Sequence, residues 1–169
     1  FFPFGNSRTD ASTTPQYHPI DRTLSIIGFE YQRYLTDNTF IYAHADAMYG
    51  GLTAGFMDVF FGVGKNFIET KYINFFAKMG IGAAGGRIFP EGGLTAYPSA
   101  GADLKITEKF GLSLHGGYHR SIGGIASFQA YTAGFSLKYY GLSGGTSDPF
   151  SNKKVTKIKT QGIQIAAQN

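Results

Sequence analysis

The run from Tyr131 to Tyr139 constrains what this chain can fold into more than any other stretch. It alternates strictly: Tyr131, Ala133, Phe135, Leu137 and Tyr139 fall on one side, Thr132, Gly134, Ser136 and Lys138 on the other. Period two marks an extended strand, because successive side chains of a pleated backbone point to opposite faces. Here one face is apolar and aromatic while the other is small, polar or charged. Such a strand suits a wall with hydrocarbon on one side and a polar space on the other.

The same alternation recurs upstream and predicts about seven strands in hairpin order between residues 23 and 140, the opening run included. The spans are 23–35, 39–49, 52–65, 72–84, 98–107, 110–121 and 126–140. Connections at 35–38, 66–71 and 107–109 are short and polar, whereas those at 49–51, 85–93 and 121–125 are glycine-rich. Two kinds of turn in strict alternation imply the two ends of one up-and-down meander. Proline cannot donate to a ladder and belongs at a strand start or a bulge, so the fifth strand is set to begin at Pro98, with 94–97 loosely paired.

Polarity separates the two kinds of barrel that share this pattern. The minority face carries Glu30, His44, Asp46, Asp58, Lys78, Asp103, Lys105, His115 and Lys138, interleaved with glycine and serine. The majority face is nearly free of charge; its exceptions, Arg33 and Arg120, fall near strand ends, where a long basic side chain reaches headgroups. A water-soluble protein exposing so continuous an apolar belt would far exceed the few hundred Å² usual for an aqueous surface. The nine ionisable residues are therefore expected inside a narrow barrel, as a network of paired charges that fills the lumen.

Composition agrees. A chain of 169 residues is one domain's worth. With 24 Gly, 16 Phe and 11 Tyr but no Trp, the bias is toward glycine and aromatics, and Tyr31, Tyr49, Tyr118, Tyr131, Tyr139 and Tyr140 would supply the interfacial girdle. Cysteine is absent, which removes disulfides and thiolate metal sites. No apolar run of about 18 residues predicts a transmembrane helix. The start, Phe1-Phe2-Pro3-Phe4, has neither Met nor a basic n-region and reads as that of a processed or incomplete chain.

The order polar residue, Gly, then apolar and aromatic positions in 132–139 resembles the closing-strand signal of bacterial outer-membrane β-barrels. Residues 23–140 as a whole are similar in pattern and turn rhythm to the small outer-membrane β-barrel superfamily, OmpA transmembrane-domain/OmpX-like. The resemblance implies an all-β, antiparallel up-and-down transmembrane barrel of about eight strands in the outer membrane of a diderm bacterium. It further implies insertion by the barrel-assembly machinery, contact with outer-membrane lipid and lipopolysaccharide, and tight polar turns facing the periplasm.

Such barrels have an even number of strands, so an eighth is sought. The first expectation places it upstream, with Phe1–Phe4 as its surface-side end and 6–21 as the first external loop; residues 1–22 then form an N-terminal segment, 23–140 the barrel and 141–169 a C-terminal extension. The alternative makes 155–167 the eighth strand. Under the first expectation, a Gly/Ser/Asp/Pro-rich linker at 141–152 leads to a periplasmic tail in which Lys153, Lys154, Val155, Lys157, Ile158 and Lys159 form a basic, β-prone segment. That tail is either a solvated extension or a strand that docks on a partner's sheet edge.

Candidate chemistry is sparse. Outer-membrane lipid A deacylases use a His-x-Ser pair at a strand end, and His119-Arg120-Ser121 resembles it. Where those enzymes carry Asn after the Ser this chain has Ile122, and 126–140 contains no Asp or Glu to orient the base. His18, His44, His115 and His119 show no zinc-ligand spacing, and no metal or other cofactor is expected. The Gly62-Val63-Gly64-Lys65 stretch lacks the spacing of a phosphate loop. The formal charge of +4 is too scattered for nucleic acid. The leading expectation is a non-enzymatic structural or anchoring subunit of a cell-envelope assembly, its tail docking a periplasmic protein; a narrow pore and, far behind, a hydrolase are the alternatives.

Overall fold

The structure is a computed structural model that describes residues 1–3, 8–10, 17–20, 22–51, 55–86, 88–89, 93–122, 128–140 and 160–168. Twelve strands and no helix occur among them. Three are short pieces near the start: β1 (Phe2–Pro3), β2 (Arg8–Asp10) and β3 (Tyr17–Pro19). The long ones are β4 (Ser25–Tyr34), β5 (Thr39–Gly50), β6 (Phe56–Glu69) and β7 (Ile73–Gly86), then β9 (Leu94–Lys105), β10 (Phe110–Ser121) and β11 (Gln129–Tyr140). A two-residue β8 (Ile88–Phe89) lies between β7 and β9, and β12 (Thr160–Gln168) ends the chain.

The eight long strands form one antiparallel up-and-down sheet, in the order β4-β5-β6-β7-β9-β10-β11-β12. The sheet curls until β12 pairs with both β4 and β11, so each of the eight has a hydrogen-bonded neighbour on either side. This corrects two expectations. The eighth strand is the tail segment Thr160–Gln168, not an upstream one, and the wall does not close at Tyr140. The physical reason lies in Gly162-Ile163-Gln164-Ile165-Ala166, which has the alternation of a wall strand and reaches two edges that would otherwise expose unpaired backbone.

The upstream idea keeps one element. Phe2 pairs with Tyr131 and Pro3 with Ala130, while the Phe1 carbonyl accepts from Leu24 N at 2.8 Å. Gln168 of β12 pairs with Gly134 on one side and Ile26 on the other, and all these pairs follow the same count. β1 therefore continues the lane of β12, in the same direction, between β4 and β11.

The short turns after β4, β6 and β9 lie at one end, and the glycine-rich connections at the other. At a short turn the Leu35 and Thr36 amides both donate to Thr39 O, and the Thr36 hydroxyl accepts from Thr39 N. At the glycine-rich end β5 gives way to Gly51, whose φ of 106° is left-handed and suits a residue without Cβ. There β2 pairs with β3 and with β8, tying the N-terminal segment to the β7–β9 connection.

β9 begins at Leu94, four residues before the predicted start, and Pro98 sits inside it opposite Met79. The β9–β10 ladder passes from Gly117–Ser99 to Arg120–Ala96 without the two pairs between. The donor that proline lacks falls on that side, so the β7–β9 ladder runs through unbroken. β6 runs to Glu69 rather than 65 and shifts register between Asn66 and Ile68. The bulge keeps Asn66 inside while both Phe67 and Ile68 face outward.

The two faces have opposite chemistry. Ile27, Phe29, Met57, Val59, Phe61, Phe75, Met79, Ile81, Leu114, Phe135 and Leu137 are exposed. Glu30, His44, Asp46, Asp58, Lys78, Asp103, His115 and Lys138 are buried inside the curl. Lys105, the last residue of β9, is half-buried. An apolar cluster of Phe1, Ile20, Leu24, Ile26, Phe56, Ala84, Phe128 and Ala130 fills the interior near the glycine-rich end. A second, Phe40, Tyr42, Phe60 and Tyr97, lies further in with Tyr34 against it.

Candidate functional site

Register brings the midsection charges together. Glu30 of β4 lies opposite His44 of β5, and Asp46 of β5 lies opposite Asp58 of β6. Gly28 faces Asp46, and a Cβ there would overlap the Asp46 carboxylate and the Ala45 carbonyl. A glycine at 28 is what lets that carboxylate turn inward. Glu30, 1% exposed, accepts from Lys78 Nζ, from Gln32 Nε2 at 2.5 Å and from His44 Nδ1 at 3.1 Å. Lys78 belongs to β7, three strands away, so this pair ties opposite walls. Its ammonium also lies 5.0 Å from the Tyr42 ring centroid and 5.7 Å from that of Phe76.

The far nitrogen of His44, Nε2, is 2.7 Å from Asp46 Oδ2. Glu30 can only accept, so the proton of the Nδ1 contact sits on the imidazole. His44 thus bridges two carboxylates. Toward the short-turn end a second tie joins Lys138 of β11 to Asp103 of β9 at 2.6 Å, with Asn74 Nδ2 3.4 Å from the same oxygen. Lys138 Nζ lies 5.2 Å from the Phe76 centroid. The Tyr97 and Thr132 hydroxyls meet at 2.8 Å, again skipping β10.

His119 occupies a box of rings: Phe1, Phe56, Phe60, Tyr97 and Phe128 all have centroids 5.1–6.2 Å from its own. It is fully buried, and its Nε2 lies 3.4 Å from Asp58 Oδ2. The carboxylate partner that the sequence did not reveal is therefore Asp58, across the interior on β6. Neither ring nitrogen of His119 makes a hydrogen bond, so Ser121, although on the same inward face, is not joined to it as nucleophile to base. Nor does either Asp58 oxygen accept a hydrogen bond, although the side chain is 1% exposed.

Of the nine residues expected inside, the structure buries all but Lys105; it joins Glu30, His44, Asp46 and Lys78 in one chain of contacts and sets Asp58 within 4.8 Å of His44 and Asp46. Asp103 and Lys138 form a separate pair, and His115 lies on the inward face of β10. Sequence reasoning omitted Gln32, Asn74, Tyr97, Thr132 and His119 from the network. Their signal is in the sequence, since each occupies the inward phase of its strand; four of them carry no charge, and His119 stands out in the sequence only as half of the His-x-Ser pair. The expected docking residues Lys153, Lys154, Val155, Lys157, Ile158 and Lys159, with the linker 141–152, lie outside the described residues. No family model and no curated protein matches the chain.

Proposed function

We propose that this chain is an outer-membrane β-barrel serving a non-enzymatic, structural or anchoring role in the cell envelope. The observation that carries it is the inversion of polarity: the exposed face of a curled eight-stranded sheet is apolar while its ion pairs are interior. β4 to β7 and β9 to β11 run to 10–14 residues, against about 9–11 needed to cross hydrocarbon as a tilted strand. Aromatics stand at both levels of the outer face, with Tyr49, Tyr118 and Tyr131 toward the glycine-rich end and Phe67, Tyr72, Phe110 and Tyr139 toward the other. That is where amphipathic rings sit at headgroup depth.

The interior supports a structural role over a conducting one. Glu30–Lys78, Asp58–His119 and Asp103–Lys138 link non-adjacent strands through the lumen, and the apolar cluster stands beyond them. Thr160–Gln168 is paired on both edges and has no free edge with which to extend a partner's sheet, so partner contact falls to the lysine-bearing connection 141–159, which leaves β11 at the short-turn end.

The test is folding into phosphatidylcholine vesicles from urea. The proposal expects a β-rich, protease-resistant chain that floats with lipid and gives no single-channel conductance in a planar bilayer. Refolding to a monodisperse monomer in detergent-free buffer would sink the membrane assignment, and discrete channels would transfer the function to a pore.

A further inference from the structure

We propose that His44, Asp46, Asp58 and His119 form a binding site for one divalent first-row transition-metal ion, zinc by preference, inside the curled sheet. Three strands supply it: β5 gives His44 and Asp46, β6 gives Asp58 and β10 gives His119. One ligand atom from each of His44, Asp46 and Asp58 lies within 4.8 Å of the others, and all three residues are buried. His119 Nε2 is 3.4 Å from Asp58 Oδ2. Ligand atoms about 2.0–2.2 Å from a tetrahedral zinc stand about 3.3 Å apart, so shifts of about 1 Å bring His44, Asp46 and Asp58 to coordination distance, and His119 already stands at that spacing from Asp58.

Two independent features point to a cation. The first is the electrostatics of the pair Asp46–Asp58. Like charges directly opposite on neighbouring strands repel, and here both are dry. Lys78 is already engaged by Glu30 and Lys138 by Asp103, while the Phe1 ammonium donates to Leu24 O at 2.8 Å. The second is the unmet capacity of the ligand atoms themselves. Both Asp58 oxygens, Asp46 Oδ1 and both His119 nitrogens are buried without a hydrogen bond. Buried polar groups in native proteins are satisfied, and a cation at their centre satisfies these together.

His44 is also held as a ligand would be. Its Nδ1 donates to Glu30 and its Nε2 donates to Asp46, so a metal taking Nε2 displaces one proton while Glu30 keeps the Nδ1 proton and orients the ring, as a carboxylate does behind a metal-binding imidazole. Mixed imidazole and carboxylate donors select zinc and its neighbours, whereas magnesium and calcium require six or more oxygens. The ligands come from separate strands, which is why no histidine spacing announced them. The site does not depend on whether the outer wall faces lipid.

The full chain, folded in whichever medium yields a β-rich monodisperse species, is dialysed against Zn2+ and then against metal-free buffer. Close to one zinc should remain per chain, and Co2+ in its place should show the intense visible absorption of tetrahedral coordination. Asp58→Asn should weaken Zn2+ binding at least about 100-fold, and Glu30→Gln, which removes the carboxylate that orients His44 as well as the partner of Lys78, about 10- to 100-fold in whatever fraction folds. Asp103→Asn should leave affinity unchanged. On the wild type alone, Zn2+ should raise the urea midpoint and EDTA should reverse the rise, a measurement that survives if a variant fails to fold. Two imidazolium ions would balance the same carboxylates without metal. A folded wild type that retains no zinc, or whose midpoint ignores it, is the outcome of that charge state and overturns the proposal.

Discussion

Glu30 shows what one inward side chain costs and contributes. It receives Lys78, His44 and Gln32, and all four are out of water. Glu30→Gln leaves a buried ammonium without a counter-charge, so it should destabilise the fold by about 3–5 kcal/mol in urea unfolding. Adding Lys78→Met to that variant should recover at least half of the loss; no recovery would mean that the lysine is not what the carboxylate neutralises. Gly82 makes the reciprocal point. A methyl there would overlap the Val59 carbonyl, a backbone atom that cannot turn aside, so Gly82→Ala should cost about 1–3 kcal/mol in the same assay despite the better intrinsic propensity of alanine. Which residues point inward was legible, because alternation alone assigns Glu30, Asp58, Asp103 and Lys138 to one face. Which of them meet was not. Asp58 and His119 belong to β6 and β10, which share no ladder, and only the closed curvature brings them together.

The strands divide the same way. β10 matches the predicted 110–121, since its ends are marked by a polar turn and a glycine-rich one. β12 falls within the alternative span 155–167 but for its last residue, and its alternating part, Gly162-Ile163-Gln164-Ile165, is short beside the other strands. Its place was decided by two open edges, which no local pattern encodes. Removing residues 141–169 should therefore abolish the compact, protease-resistant form, whereas a barrel complete at Tyr140 would keep it; limited proteolysis in detergent separates the two. The shared lane of β12 and β1 adds an engineering test. A peptide bond made between Asn169 and Phe1, with the chain opened in 141–159, should give a permuted protein with the same β-sheet spectrum, because the pairs on either side already count continuously.

For the whole molecule the decisive question is what touches the outer wall. Phe61 stands near the middle of β6, 64% exposed, with Ala43 and Ile81 beside it. If hydrocarbon surrounds it, Phe61→Arg should cost about 2–4 kcal/mol of folding free energy in vesicles. If water does, the substitution should be neutral within about 0.5 kcal/mol. The interior also has a direction. Phe1, Leu24, Ile26, Phe56, Phe128 and Ala130 pack together toward the end with the glycine-rich connections, whereas Asn66, Asn74, Asp103 and Lys138 lie toward the short turns. Among the described residues the interior is thus apolar toward one end and polar toward the other. If the wall spans a membrane, small ions reaching the midsection charges should arrive chiefly from the short-turn side.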